Sequence, residues 1–186
     1  MVLIIGITGA SGVIYGIKLL EVLSSKKDIE THLIISEAGE KNIRYETDWK
    51  VEQVKSLADF YYDIHDISAR LASGSFKSDG MIIAPCSMKT LSAVSNSYAD
   101  NLLTRSADVI LKEGRKLVLL VRETPLHLGH LRNMERATEM GATIFPPVPA
   151  FYHKPQTIQE LIEHTIGKVL DIFNIKHNLF PRWSGI

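Results

Sequence analysis

The sequence of 186 residues has one cysteine, no net charge and no long apolar run, and each shortage excludes a class of protein. Cys86 cannot form a disulfide within the chain, so we expect a protein of a reducing compartment, the cytoplasm. Lysine and arginine together number 21, as do aspartate and glutamate, so no basic field favours nucleic acid or an anionic membrane. No apolar run approaches the ~20 residues of a membrane span, and the apolar start lacks basic residues, so we expect neither a span nor a signal peptide.

The remaining composition is that of a globular protein, with 45% hydrophobic and 23% charged residues. No internal repeat or low-complexity segment divides the chain. We therefore expect a single domain over residues 1–186, ending in a short tail from about residue 175.

Short apolar runs alternate with helical patterns along the chain. The predicted strands are residues 2–7, 32–35, 81–84, 117–121 and 142–145, and the predicted helices are residues 13–24, a stretch within 37–61, 90–111, 131–140 and 160–173. Such alternation through short links predicts a parallel sheet covered on both faces. We expect an α/β fold, a three-layer α/β/α sandwich with a Rossmann-like, mainly parallel sheet whose ligand lies beyond the carboxyl ends of the strands.

The loop after the first strand has the composition of an anion-binding loop. Residues 6–12 read Gly-Ile-Thr-Gly-Ala-Ser-Gly and open a predicted helix, whose N-terminus offers free N–H groups and a positive dipole end. The glycines allow a phosphate to approach the backbone, and Thr8 and Ser11 add hydroxyl groups. The plainer interpretation is a tight turn with a serine cap. The spacing is not the G-x-G-x-x-G of dinucleotide sites, and Ser36 stands where a ribose-binding acid would follow the second strand, which favours a mononucleotide such as FMN.

A second loop with hydroxyl groups, residues 85–92, follows the third predicted strand. Ser87 and Thr90 stand at the start of the next predicted helix, where they cap the helix and also suit a ligand contact. We expect Cys86 to be a small packed residue, because no basic partner for a reactive thiol can be placed beside it. His127 and His130 form an H-x-x-H pair, but no further ligand completes a metal site, so we expect no metal.

Taken together, these segments resemble the UbiX/Pad-type flavin prenyltransferases, which have the homo-oligomeric flavin-containing decarboxylase-like fold. The resemblance runs nearly end to end and is carried by residues 8–12 with 15–16, Ser36, 46–48, 85–91, 101–109 with 111–113, 119–125, 151–153 and 181–183. The Ser-Met-Lys-Thr sequence at 87–90 is most similar to the subgroup that serves phenolic-acid decarboxylases.

The resemblance implies a metal-independent transferase. Such enzymes bind reduced FMN and a dimethylallyl phosphate, and join the five-carbon unit to N5 and C6 of the flavin. The prenylated FMN then serves a separate UbiD-type decarboxylase that acts on aromatic acids. The resemblance also implies one flavin-binding domain and a large homo-oligomer, a dodecamer, in which neighbouring subunits share sites.

The resemblance also implies roles for residues of this chain. The FMN contacts would be Gly9, Ala10, Ser11, Ser36, Ser87, Met88, Lys89, Thr90 and Arg122. The contacts to the prenyl phosphate would be Tyr152 and Lys168, with Arg105 and Lys112 near the leaving phosphate, and the catalytic residues would be Ser11, Glu46, Lys112, Glu123 and Trp183. The chemistry suits these types, because cations stabilise a departing phosphate, aromatic rings stabilise an allylic cation and a carboxylate can relay a proton.

Each of these residues also has a structural interpretation. Arg105 and Lys112 suit a solvated helix face, Arg122 and Glu123 a local ion pair, Glu46 and Lys168 the surface, and Trp183 the packing of the tail. Three other functions stay open: a non-catalytic FMN-binding accessory subunit, a flavin-dependent decarboxylase and a nicotinamide-dependent oxidoreductase. The loop at 85–90 differs from the Pro-Ala-Ser-Ala-Asn-Thr of the cysteine decarboxylases, and the missing dinucleotide fingerprint disfavours nicotinamide.

Overall fold

The computed structural model describes residues 1–182, whose strands form a single parallel sheet. The strands are β1 (Val2–Ile7), β2 (Glu30–Ile35), β3 (Phe60–Tyr62), β4 (Gly80–Cys86), β5 (Lys116–Val121) and β6 (Ala142–Ile144). They pair in the order β3-β2-β1-β4-β5-β6. Because the order reverses direction at β1, the loops after β1 and β4 diverge to opposite sides and leave a crevice at the carboxyl edge of the sheet.

Helices connect and cover these strands. They are α1 (Val13–Ser24), α2 (Glu37–Glu46), α3 (Val51–Lys55), α4 (Met88–Ser95), α5 (Leu102–Lys112), α6 (Leu128–Glu139) and α7 (Ile158–Ile172), with one 3-10 turn at Arg70–Ala72. Among the described residues this is the Rossmann-like α/β fold that the alternation predicts.

The central strands are apolar because helices cover both faces of the sheet. On one face, Ile4 and Ile83 pack into a core that Leu91 of α4 and Leu103 of α5 complete. On the other face, α1 approaches β4 so closely that a Cβ on Gly16 would lie 2.2 Å from the Ala84 carbonyl oxygen. The α/β/α layering of the sheet therefore depends on a glycine at that crossing.

One predicted helix was wrong. The predicted helix over 90–111 is two helices, because the chain turns at Ser97, whose φ is 53°, and restarts at Asn101. Asn101 caps α5, its side chain accepting from the Thr104 N–H and the Thr104 hydroxyl receiving the Asn101 N–H in return. The helical stretch predicted within 37–61 is confirmed as α2 and α3, and the end of that range begins the edge strand β3.

The chain divides into two compact units, Met1–Pro146 and a second that begins at Pro147. The second unit consists of α7 and the segments that flank it. After α7 the chain folds back, and a Cβ on Gly167 would lie 2.5 Å from the Phe180 ring, so this glycine allows the return. The single flavin-binding domain over 1–186, with its tail from about residue 175, stays a prediction.

Candidate functional site

A cavity of about 410 Å³ opens at the carboxyl edge of the sheet, within the first unit. Its wall is formed by Thr8, Gly9, Ser36, Glu37, Ala38, Ile64, His65, Ser87, Lys89, Thr90, Asp100, Asn101 and Leu103. Five of these wall residues, Gly9, Ser36, Ser87, Lys89 and Thr90, are among the FMN contacts that the resemblance implies. The loops after β1, β2 and β4 bring them together because the three strands are neighbours in the sheet.

Two helices begin at the cavity with a serine cap. The Ser36 hydroxyl accepts the Gly39 N–H at 3.0 Å and caps α2. The Ser87 hydroxyl accepts the Thr90 N–H at 3.3 Å and caps α4, while donating to the Thr90 hydroxyl at 3.1 Å. Two positive dipole ends therefore face one cavity, which suits an anionic ligand group such as phosphate.

The first loop is held against its neighbours by Thr8 and Gly9. The Thr8 hydroxyl donates to the Pro85 carbonyl at 2.7 Å and accepts the Ser87 N–H at 2.9 Å, so it ties the loop after β1 to the loop after β4. A Cβ on Gly9 would lie 2.3 Å from the Ala38 Cβ of α2, so no larger residue fits without movement of the backbone. The floor of the cavity is thus fixed by a buried threonine and a glycine.

The N-terminus of α1 holds a carboxylate where we expected a phosphate. One oxygen of Glu46 accepts the Gly12 N–H at 2.7 Å and the Val13 N–H at 3.3 Å. The carboxylate therefore satisfies the free N–H groups of this helix and interacts with its positive end. The sequence could not show this contact, because the partners are 34 residues apart.

Three further predicted FMN contacts lie in the loop after β1 and at the start of α4. Ala10 is buried and its carbonyl accepts from the Asn42 side chain at 3.1 Å, while Ser11 is exposed. Met88, at the start of α4, packs against the sheet core beside the cavity wall.

Cys86 is fully buried, which confirms a packed residue, and burial raises the pKa of its thiol.

Of three further charged residues with predicted roles, Lys89 lines the cavity, and Arg122 and Glu123 follow β5. Lys89 is exposed and its ammonium is 3.7 Å from an Asp100 oxygen at the cavity wall. Arg122 follows β5, and its positive charge offsets part of the rise that burial causes in the pKa of Tyr15 on α1. Glu123 is exposed and accepts the Thr124 N–H at 2.9 Å.

The helix α5 carries Lys112 away from the cavity, while Arg105 bonds to groups beside its own helix. Leu103, in its first turn, lines the cavity, whereas Lys112 ends the helix ~14 Å further along its axis and pairs with Glu113. Arg105 donates to the Ala72 carbonyl at 3.1 Å and to Asp108 at 2.7 Å. Within one chain, the fold does not bring Lys112 into the cavity.

The second unit contains the predicted prenyl-phosphate contacts. The Tyr152 hydroxyl lies 2.8 Å from Nε2 of His164, and the His153 ring stacks on His164 at 4.7 Å. Lys168 follows His164 by one turn of α7, with its ammonium 4.0 Å from Asp171. Trp183 lies outside the described residues.

Sequence reasoning missed several residues of both units. Asp100 and Asn101 line the cavity but were hidden inside the long helix predicted over 90–111. Only a recognised Asn-x-x-Thr cap at 101–104 would have revealed the break. His164 was assigned to no role, and its position four residues before Lys168 is the signal that would have singled it out.

Residues 1–182 contain neither a cluster of metal-ligating side chains nor a membrane-spanning helix. In this range no group of three or more His, Cys, Asp or Glu side chains could hold a metal ion. His127 instead caps α6, with Nδ1 accepting the Gly129 N–H at 3.0 Å. No helix among the described residues is long and apolar enough to cross a membrane.

Comparisons with known proteins agree with the architecture. The family model described as Flavoprotein matches residues 1–179. Flavin prenyltransferase UbiX of Escherichia coli strain K12 is 57% identical over 185 residues, covering 98% of each chain. Flavin prenyltransferase UbiX of Thauera aromatica is 55% identical, covering 100% of this chain and 95% of its own.

Two solved structures match the fold of this chain over its whole length. The crystal structure of AnUbiX (PadA1) in complex with FMN and dimethylallyl pyrophosphate matches with a TM-score of 0.97 at 49% identity, covering 100% of this chain and 98% of that one. The dodecameric FMN-dependent UbiX-like decarboxylase of Escherichia coli O157:H7 matches with a TM-score of 0.98 at 46% identity, over the whole of both chains. The chain belongs to the flavoprotein family and, within it, to the UbiX flavin prenyltransferases.

Proposed function

We propose that this protein is a flavin prenyltransferase, which joins the dimethylallyl unit of dimethylallyl phosphate to N5 and C6 of reduced FMN. The observation that carries the proposal is the cavity onto which the serine-capped N-termini of α2 and α4 both open. It occurs in a chain 57% identical to a UbiX flavin prenyltransferase. The product, prenylated FMN, would pass to a UbiD-type decarboxylase.

The cavity has the groups that FMN requires. Its phosphate would bind where Ser36, Ser87 and Thr90 offer hydroxyl groups at two helix N-termini, with Lys89 as the nearby cation. Gly9 lies on the cavity wall and has no side chain, so a ligand can approach the backbone there. Reduced FMN would supply the nucleophilic ring atoms of the reaction.

Breaking the allylic carbon–oxygen bond leaves negative charge on phosphate and cationic character on carbon. Tyr152 and Lys168 would bind the phosphate by a hydroxyl and a cation, and stabilise it as it departs. Glu123 is an exposed carboxylate at the end of β5, and would relay a proton during ring closure. The carboxylate of Glu46 would hold α1 and the loop at 9–12 in place beside the flavin.

The subunits of a homo-oligomer, a dodecamer, would share these sites. The placement of Arg105 and Lys112 supports this, because α5 directs Lys112 away from the cavity of its own chain. Lys112 would therefore serve the site of a neighbouring subunit, and Arg105 on the same helix would accompany it. A cytoplasmic location belongs to the same proposal, since the one cysteine is buried and reduced.

The test is an anaerobic incubation of the protein with reduced FMN and dimethylallyl monophosphate, followed by mass spectrometry of the extracted flavin. The proposal predicts a flavin heavier by one five-carbon unit, and a much lower yield with Glu123→Gln. A parallel incubation with the diphosphate identifies the donor. Unmodified FMN from both incubations, in protein that binds FMN tightly, would contradict the proposal and favour the accessory subunit.

A further inference from the structure

A buried histidine supports the exposed tyrosine of the second unit. His164, on α7, is only 7% exposed, whereas Tyr152 is 50% exposed. The Tyr152 hydroxyl and Nε2 of His164 are 2.8 Å apart, which is a normal hydrogen-bond distance. The pair therefore joins a fixed ring inside the unit to a phenol that reaches its surface.

The chemistry of phosphate decides which atom donates. The oxygens of a fully ionised phosphate accept hydrogen bonds and have no hydrogen to donate. A tyrosine that binds this phosphate must therefore donate its hydroxyl hydrogen to it. The phenolic oxygen is then an acceptor toward His164, and Nε2 of that ring must bear the hydrogen. Burial, followed by His153 and by the charge of Lys168, lowers the pKa of His164, so the ring is neutral at neutral pH and has one N–H to place.

Two rings hold the plane of His164. The His153 ring stacks on the His164 ring, with 4.7 Å between the ring centres and an angle of 8° between the planes. The Phe180 ring is tilted against the His164 ring, with 4.5 Å between their centres. Both ring nitrogens of His153 are buried and have no hydrogen-bond partner among the described residues. The stack thus contributes packing and leaves the Nε2 direction of His164 fixed on Tyr152.

We propose that His164 is a positioning residue that donates Nε2–H to the Tyr152 oxygen and so directs the tyrosine proton to the phosphate of the prenyl donor. Lys168 lies one turn further along the same face of α7, so the hydroxyl and the cation are presented together. The inference rests on the proposed function, since it assumes that Tyr152 contacts the donor phosphate.

The test compares His164→Gln and His164→Asn by calorimetric titration of the FMN-loaded protein with dimethylallyl monophosphate. The glutamine amide N–H reaches the position of Nε2, whereas that of asparagine stops short of it. We expect His164→Gln to keep the affinity of the unaltered protein, and His164→Asn to weaken it by roughly 3- to 10-fold, the effect of one ordinary hydrogen bond. FMN affinity should not change in either variant.

Two further variants separate positioning from a general effect on folding. Thr165→Val is the matched control, because Thr165 is a buried neighbour on α7 whose hydroxyl bonds to the Leu161 carbonyl and does not involve Tyr152. It should bind as the unaltered protein does. In a Tyr152→Phe background, His164→Asn should add no further loss, since the shared hydrogen bond is already absent.

Equal affinities for His164→Gln and His164→Asn would overturn the inference, as would a His164→Asn loss that persists undiminished in the Tyr152→Phe background. Both results leave the proposed function intact if the unaltered protein still makes prenylated FMN. If the unaltered protein transfers no prenyl unit, the proposed function fails and the inference fails with it.

Discussion

Single atoms decide how the cavity is built. The hydroxyl of Thr8 ties two loops together, and the missing side chain of Gly9 lets the first loop lie against Ala38. The sequence analysis identified both residues, but it assigned them a contact with phosphate. Their role in holding the loops needed the structure, because the partners of Thr8 are 77 and 79 residues away in the chain.

Gly9→Ala should lower the stability of the protein more than Gly6→Ala does, and should weaken FMN binding. The new Cβ would meet Ala38 at 2.3 Å, and because that methyl is short and rigid, the loop must move. We expect a loss of about 1–3 kcal/mol in the free energy of unfolding, in the range of overpacked sites, together with weaker FMN binding. Urea unfolding and a fluorescence titration with FMN measure the two effects.

Gly6→Ala is the comparison for stability, since its Cβ would meet the end of the longer Leu103 side chain at 3.1 Å instead of a short methyl group at 2.3 Å. Its loss should be clearly the smaller of the two. Equal effects of Gly6→Ala and Gly9→Ala would mean that the Gly9–Ala38 contact has no special importance.

Glu46→Gln tests the carboxylate at the N-terminus of α1. The variant removes the charge that interacts with the helix dipole and keeps an acceptor oxygen, so we expect a loss of about 0.5–1 kcal/mol in the free energy of unfolding. Glu52→Gln, whose carboxylate is 83% exposed and pairs with Lys55, should change stability less. A Glu46→Gln variant as stable as the unaltered protein would contradict the capping role.

At the scale of elements, strand prediction succeeded where the strand sequence is a short run of aliphatic residues. The predicted strands at 2–7, 32–35, 81–84 and 117–121 fall within β1, β2, β4 and β5, and the one at 142–145 runs one residue past the end of β6. The strand β3 was missed because its sequence, Phe-Tyr-Tyr, contains no aliphatic run, and it is stabilised by Phe60 stacking on His32 at 4.9 Å. Such a long-range ring contact leaves no periodic signal in a sequence.

The segment after α7 depends on one carboxylate. Hydrogen bonds from Arg182, and a further one from His177, hold the pKa of Asp171 below its ordinary value of 3.8, although burial opposes them. A carboxyl whose pKa is lower in the folded state stabilises the fold above its unfolded pKa. That contribution is lost as the pH falls below 3.8 through the folded-state pKa.

Asp171→Asn should therefore lower the free energy of unfolding at pH 7, and the difference from the unaltered protein should shrink as the pH falls from about 4 toward 2. Urea unfolding at several pH values measures this. Arg182→Gln should show the same dependence, because it removes the main partner of Asp171. A difference that stays constant over the acid range would contradict the account.

At the scale of the whole molecule, the position of Lys112 is the observation that bears on whether subunits share a site. The sequence resemblance placed Lys112 near the leaving phosphate, but a helix that begins at the cavity and runs away from it cannot return its last residue there. Residue types and motifs indicate which groups take part in a reaction. They do not indicate which copy of the chain supplies each group.

Mixed oligomers test whether subunits share sites. Lys112→Ala and Ser87→Phe, which fills the cavity with a ring, should each be nearly inactive alone. When the two variants are produced together and assemble jointly, some cavities are intact and receive an intact Lys112 from a neighbour, so prenyl transfer should partly return. Joint oligomers of both variants that stay as inactive as each variant alone would contradict sharing.

The most direct test of the central claim is to follow the transferred carbon atoms. The protein is incubated without oxygen with reduced FMN and ¹³C-labelled dimethylallyl monophosphate, and the extracted flavin is examined by NMR. The account predicts labelled carbons bonded to N5 and C6 of the flavin. Labelled dimethylallyl alcohol beside unaltered FMN, or a donor that stays intact, would contradict it.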